Sequence, residues 1–401
     1  MCTRSTLGSS MADVPNNQGL SSRRSALTPN PHFSRARLRF RRDMNHVTMV
    51  AHRWEMVYKD LLKSLSTDGQ KISPRKGAAQ EIIGGTFKLE NPRDRCLLSP
   101  ARGFNVFQAV GHWLWIMAGR MDLPSINYYN PRAPTFSADL RKLDGAYGPR
   151  LFGLGVLNQI PHIIDLVTKN PDTRRAVASV YIPEFDSSRT TVQGREDEVP
   201  CTIAMQFLPR GGSLNMIVFM RSQDAFGVLP YDLFIFTLIQ EFIAKSTKSE
   251  VGNYNLHAGS MHYYLRDEAR VQEVLTEPPV AAPIMPAMPD GSQDEFLKKV
   301  LELEEAIRVE CSAHIRLPFR TEFSPRDYLQ QADELHDFWK TIVHCLLASA
   351  AIQLNNEKAL RRVHDEIAKP FDFYTERALS MLAVKAETSL DKFLKPPQAN
   401  S

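Results

Sequence analysis

Between Ile203 and Met220 apolar residues fall on alternate positions, first at Ile203, Met205 and Phe207, then at Leu214, Met216, Val218 and Met220. A period of two predicts a pair of strands with one buried face, and Pro209-Arg210-Gly211-Gly212 supplies the turn that joins them into a hairpin. After the hairpin, Tyr231 to about Ala244 predicts a buried apolar helix, and NLHAGSMHYY a loop running into a strand. Upstream, residues 49–66 predict a helix, EIIGGTFKLE a strand, residues 104–119 a long apolar helix, residues 157–170 another helix, and Arg174 to Ile182 a strand stopped by Pro183. Pro278, Pro279, Pro283, Pro286 and Pro289 then mark a linker. Beyond it residues 292–393 carry helical periodicity in three or four segments, one opened by Ser324-Pro325 as N-cap and first-turn pair. The elements predict an α+β domain over residues 46–280, followed over residues 281–401 by a Pro-rich linker and a helical C-terminal extension.

Charge changes this picture at one end only. The chain of 401 residues carries a net +4, but its first 43 residues hold eight arginines against Asp13 and Asp43, which leaves −2 on the rest. A folded part of that sign gives no support to a nucleic-acid partner. Residues 1–45, rich in Ser, Asn, Pro and Arg, predict a disordered tail. An organelle transit segment and a stretch upstream of true initiation near Met44 both fit it. The hydrophobic fraction of 43% suits a soluble globular chain, and no run reaches the roughly 18 apolar residues of a membrane span. A cytoplasmic location without a membrane partner is expected. Cys2, Cys96, Cys201, Cys311 and Cys345 lack CxxC spacing, which argues against a disulfide framework, against a zinc or other metal site, and for a reducing compartment.

Cysteine chemistry would then come from a single thiol. Cys201 and Arg221 stand at the outer ends of the predicted hairpin, where pairing brings them together. A guanidinium near a thiol favours the thiolate and makes Cys201 a candidate nucleophile. A cysteine opening a strand also fits a small buried hydrophobe.

The ordered set PC at 200–201, MRSQD at 220–224, LPYD at 229–232, DTRR at 172–175 and GSMHYY at 259–264 resembles the thymidylate synthase and deoxycytidylate hydroxymethylase superfamily over about residues 75–265. The resemblance implies the family's mixed sheet with packed helices, and one-carbon transfer to carbon 5 of a pyrimidine nucleoside monophosphate. It implies Cys201 as the nucleophile that adds to carbon 6, methylenetetrahydrofolate as co-substrate, and an obligate homodimer. Arg221 and Ser222 would hold the phosphate, with Arg174 and Arg175 donated across the dimer interface and Arg75 as a further phosphate contact. Asp224 matches the carboxylate that orients base and pterin, His262 and Tyr264 the pair on the sugar hydroxyl, and Tyr147 a tyrosine near the carbon 5 proton.

Asp232, eleven residues after Arg221, stands where thymidylate synthases carry asparagine and deoxycytidylate hydroxymethylases aspartate. A carboxyl accepts from the exocyclic amino group of cytosine, and when ionised it repels the carbonyl oxygen of uracil. Asp232 also fits an N-cap of the following helix. Three departures from the family accompany it. His112 replaces a glutamate that arranges water and proton transfers, Phe136 is the nearest aromatic to the folate-stacking tryptophan, and Val228 replaces a glycine. A histidine of ordinary pKa, about 6.5, could relay protons there. The leading expectation is hydroxymethylation of dCMP or CMP. The alternatives are a thymidylate synthase methylating dUMP to dTMP, and a nucleotide-binding homologue of altered chemistry.

Overall fold

A computed structural model of the chain describes residues 48–394 apart from 52, 154–157, 191–198, 279, 281 and 318–322. The expected tail, residues 1–45, lies outside them. The elements run β1 (Thr48–Ala51), α1 (Trp54–Asp68), β2 (Gln70–Ile72), β3 (Ala79–Leu89), α2 (Val106–Met117), α3 (Leu123–Tyr129), α4 (Tyr147–Phe152), α5 (Gln159–Lys169), β4 (Val177–Ser179), α6 (Pro183–Thr190), β5 (Thr202–Arg210), β6 (Ser213–Asp224), α7 (Leu229–Ser246), β7 (Glu250–Tyr264) and α8 (Glu268–Thr276). Five more helices follow: α9 (Asp294–Arg316), α10 (Arg326–Ala332), α11 (Asp337–Gln353), α12 (Glu357–His364) and α13 (Phe371–Leu394). The fold is α+β, with one mixed sheet in the order β1-β3-β7-β6-β5-β4 and β2 paired to β3. Pairing is parallel for β1–β3 and β6–β7 and antiparallel elsewhere.

The predicted hairpin is β5–β6. Arg210 pairs with Ser213, and the two residues between them, Gly211 and Gly212, both take positive φ (56° and 80°), the conformation of the tight hairpin turn that follows strand twist. Met205, Phe207, Leu214, Met216, Val218 and Met220 are buried as the alternation predicts. Ile203 is not: the register shifts between Thr202 and Ala204, and this bulge leaves Ile203 42% exposed. NLHAGS, expected as loop, is strand, because β7 is bonded by β3 on one side and β6 on the other. The opposite holds at residues 174–182, where only Val177–Ser179 pair, with β5, at the sheet's edge.

No domain boundary falls at residue 280; from His46 onward the chain forms one compact unit. The proline-rich stretch is docked rather than tethering. Ala282, Met285 and Met288 are buried, Arg93 donates to the Met285 carbonyl at 2.7 Å, and the Met288 N–H reaches Glu241 at 3.0 Å. Glu241 itself, fully buried on α7, is paired at 2.6 Å with the equally buried Arg95. The later helices share the same core: Trp339 stacks on Trp113 at 5.8 Å, Tyr129 donates to Glu304 at 2.9 Å, and Tyr374 to the Leu97 carbonyl at 3.0 Å. The expected helical extension over residues 281–401 is present but shares the core of residues 46–280, which periodicity alone does not reveal, because an apolar helix face does not announce which partner will cover it. Ser324-Pro325 also differs from expectation. Pro325 occupies the N-cap position of α10, and Ser324 Oγ accepts only from Arg326 N at 3.4 Å. No helix among the described residues is long and apolar enough to cross a membrane.

Candidate active site

Closing the hairpin brings Cys201 beside Arg221, whose backbone N–H donates to the Cys201 carbonyl at 2.8 Å. The guanidinium donates from Nε to the Pro200 carbonyl at 2.9 Å and from one terminal nitrogen to the Val199 carbonyl at 2.9 Å. Arg221 thus braces the segment leading into Cys201, and the rest of its exposed fork remains available to an anion. Cys201 is half-buried, whereas Cys96, Cys311 and Cys345 are sealed inside the core. Among the described cysteines, Cys201 is the one whose side chain is partly open.

Tyr147, in the first turn of α4, completes this end. Its hydroxyl accepts from Thr202 Oγ1 at 3.0 Å, and its ring stacks on Phe236 of α7 at 6.2 Å. Burial raises its pKa well above the ordinary phenol value, and the charges of Asp232 and Cys201 push the same way. One phenol therefore senses both the candidate nucleophile and the candidate base-reading carboxyl.

The strand end of β6 sits in parallel register with β7, which sets Asp224 opposite His262 and Ser222 opposite Ser260. Asp224 Oδ1 accepts from the Phe226 and Gly227 N–H groups at 3.1 and 2.8 Å, closing the turn into α7. A Cβ on Gly227 would stand 2.5 Å from Asp224 Oδ2, so only glycine lets the carboxylate lie there. Burial raises the Asp224 pKa, opposed by these N–H groups and by His262. His262 is nearly buried, its ring edge-on to Tyr264 at 5.1 Å and its Nδ1 3.4 Å from Ser260 Oγ, which in turn donates to Glu81. Arg75 is exposed in the turn before β3, yet its charge, with those of Asp224 and Cys201, acts on the Tyr264 phenol, whose pKa burial raises first. Arg75, Cys201, Asp224, His262 and Tyr264 therefore line one neighbourhood.

Asp232 lies in the first turn of α7 but does not cap it; the N-cap position belongs to Val228, which makes no side-chain cap. Instead Asp232 Oδ2 accepts from Gln223 Nε2 at 3.0 Å. Burial pushes its pKa up to about 7, with the Gln223 bond pulling down and the Asp224 charge pushing up. At neutral pH this carboxyl is poised between its acceptor-only and its donor-plus-acceptor forms.

His112, on α2, stacks on Trp115 at 5.8 Å, and burial alone lowers its pKa to about 4. The expected relay imidazole of ordinary pKa is thus corrected: the ring is neutral through the physiological range. Phe136 is 38% exposed with Lys76 above its ring at 5.0 Å, and Val228 is 44% exposed ahead of α7. Arg174 and Arg175 do not reach Cys201 within the chain. They precede β4, where the Arg174 carbonyl accepts from Gln206, five residues along β5 from the cysteine, or about 17 Å at strand rise. Both side chains are exposed, with no ion pair among the described residues.

Sequence reading missed the second rank. Gln223 holds Asp232, Thr202 holds Tyr147, and Arg102 holds the turn into α7, donating to the Gly227 carbonyl at 3.0 Å beneath the rings of Phe226 and Tyr231. The available signal was a polar residue inside an otherwise apolar buried face, as at Gln223 and Thr202.

Comparison with known proteins identifies the family. The family model described as thymidylate synthase matches residues 56–305. A deoxyuridylate hydroxymethyltransferase of Bacillus phage SP01 is 32% identical over 222 residues, 53% of this chain and 57% of its own length. One of Delftia phage PhiW-14 is 33% identical over 226 residues, 55% of this chain and 62% of its own. A thymidylate synthase of Francisella tularensis subsp. holarctica (strain FTNF002-00 / FTA) is 23% identical over 240 residues, 57% of this chain and 86% of its own. The match spans about three fifths of the length of the two phage relatives.

Proposed function

From the premise that this chain belongs to the thymidylate synthase family, we propose that it transfers a one-carbon unit to carbon 5 of a pyrimidine nucleoside monophosphate, and that it hydroxymethylates cytosine in dCMP or CMP. The observation that carries this reading is the neighbourhood of Cys201 and Asp232 around Tyr147. The Cys201 sulfur bonds to carbon 6 of the ring, the 5,6 double bond supplies the electron pair that makes carbon 5 nucleophilic, and elimination later returns the sulfur. Methylenetetrahydrofolate, with Phe136, Val228 and Asp224 as the residues that would hold it, would supply the one-carbon unit: carbon 5 bonds to its methylene carbon and loses its proton, and the folate nitrogen leaves as tetrahydrofolate to give an exocyclic methylene. Tyr147 and His112, both kept neutral by burial, act as hydrogen-bonding partners rather than as charges. Addition of water to the exocyclic methylene leaves a hydroxymethyl group.

The base is selected at Asp232. As a carboxylate it accepts an N–H from the cytosine amino group and repels the uracil oxygen; a mismatch of this kind costs about 1–3 kcal/mol. A second reading, deoxyuridylate as substrate, is favoured by the names of the two phage relatives. A neutral Asp232 carboxyl would donate to the uracil oxygen and accept from its ring N–H, and with a pKa of about 7 that form is accessible.

The assembly belongs to the same proposal: a two-fold dimer in which Arg174 and Arg175 of a second copy complete the phosphate site. Two features support it, the arginine pair stranded far from Cys201 and the apolar residues left open on the outer sheet surface, Val177 at 45% and Phe219 at 38% exposed. The test incubates the chain with methylenetetrahydrofolate and carbon-5-tritiated dCMP, CMP or dUMP. Tritium release from a cytosine nucleotide, with a product heavier by a hydroxymethyl group, is expected. Release from dUMP alone overturns the base assignment, and bound nucleotide without release from any substrate overturns the enzymatic reading.

A further inference from the structure

Gln223 is only 1% exposed at the end of β6, yet its amide is half used: Nε2 donates to Asp232 Oδ2, and Oε1 is buried without a partner among the described residues. An amide oxygen in that state costs roughly 1–3 kcal/mol in the unliganded protein, and such groups ask for an explanation. Asp232 Oδ1 likewise makes no hydrogen bond among the described residues. Two acceptors therefore hang from the two sides of one N–H···O bond. Cytosine carries two N–H groups on a single exocyclic nitrogen, whereas uracil places an oxygen there, which would face both acceptors. Oε1 is closed to solvent in the unliganded chain, so the contact requires the kind of side-chain rotation that ligand binding commonly induces.

We propose that Gln223 is a specificity-determining residue, with Gln223 Oε1 and Asp232 Oδ1 together accepting the two N–H groups of the cytosine amino group. The same pair explains how a proton would change the preference. When Asp232 is neutral, the Gln223 amide turns over, Oε1 accepts the carboxyl O–H, and Nε2 is presented to the base as a donor that suits uracil. Burial raises the Asp232 pKa first, the Gln223 bond opposes it and the Asp224 charge adds to it, while Tyr147 on α4 and Tyr254 on β7 are the phenols that feel its charge.

This inference rests on the proposed base pocket, so its test uses binding, which needs no turnover. Calorimetry of the full chain with dCMP and dUMP between pH 6 and 8.5 should show cytosine preferred at high pH and the preference fading as pH falls. Gln223→Met, close in shape, should cut the preference at pH 8.5 by about tenfold and move its onset to higher pH, because the N–H that favours the carboxylate is gone. Gln223→Glu, which removes the same N–H and sets a second carboxyl against Asp232, should move the onset to still higher pH. A Met variant with the wild-type preference and pH course overturns the inference, as does a folded Glu variant whose preference sets in at the wild-type pH or a wild-type chain that binds both bases equally at every pH. Wild-type discrimination without tritium release would sink the enzymatic reading and leave this inference standing.

Discussion

Arg221 is exposed, its guanidinium is shared between backbone carbonyls and open space, and Arg75 is likewise exposed in the turn before β3. Eleven residues on, Asp232 is held by one amide, and burial has moved its pKa by more than any nearby charge has. In the function proposed, the first region holds a phosphate dianion, where water is present and charge can be supplied from several places, including a second copy. The second handles a neutral ring edge, where a single proton decides donor against acceptor. Charge in the open region should therefore affect how tightly any nucleotide binds, and chemistry in the closed region should affect which nucleotide binds.

Cys201→Ser attacks the point where the two regions meet and carries the largest expected effect. Turnover should fall by about 10⁴-fold or more, as for loss of other covalent nucleophiles, while nucleotide affinity stays within a few-fold by calorimetry. Retention of tritium release in this variant would mean that the half-buried sulfur is not the attacking atom.

Asp232→Asn addresses the closed region alone. At pH 8 the ratio of kcat/KM for cytosine over uracil nucleotides should drop by about 10²-fold, because the amide donates where the carboxylate could only accept. In the wild type that ratio should rise with pH through about 7, since below it the carboxyl is neutral and above it ionised; in the Asn variant it should be flat. Stability supplies an independent check. The folded chain retains a proton that the unfolded chain releases near pH 4, so unfolding free energy should decline as pH rises from about 4 to 7 and level off above. Thermal midpoints of the Asn variant should lack that component of the slope. An identical slope in both chains would show that Asp232 is not the buried acid.

How much of this could be read from the residues differs between the regions for a physical reason. Cys201, Arg221, Asp224 and Asp232 are close in sequence and joined by a hairpin with a two-glycine turn, so alternation and turn chemistry suffice to bring them together. His262 and Tyr264 followed from the motif, but the length of β7 did not, because strand pairing on both sides overrides a Gly-Ser loop signal. Gln223 and Thr202 could be marked only as polar residues on a buried face, and the partners of these two and of Arg102 were not legible because each acts through a contact between elements. The packing of α9–α13 onto α2 was hidden likewise: periodicity marks Trp339 as buried without naming Trp113 as its partner.

Arg174→Ala tests the open region with the smallest effect. KM should rise about tenfold for dCMP and dUMP alike, since a guanidinium that meets only the phosphate is blind to the base; a changed base ratio would break the division between the two regions. The same variant also reports where the arginine works. In a two-fold dimer with Arg174 crossing the interface, mixing Arg174→Ala chains with Cys201→Ser chains yields mixed dimers in which one site has both an intact cysteine and an intact arginine. Random reassociation makes about half the dimers mixed, so about a quarter of the sites should regain wild-type efficiency at low nucleotide concentration. If Arg174 served its own chain, every site in the mixture would lack one group or the other, and no activity beyond that of the Arg174→Ala chains would return.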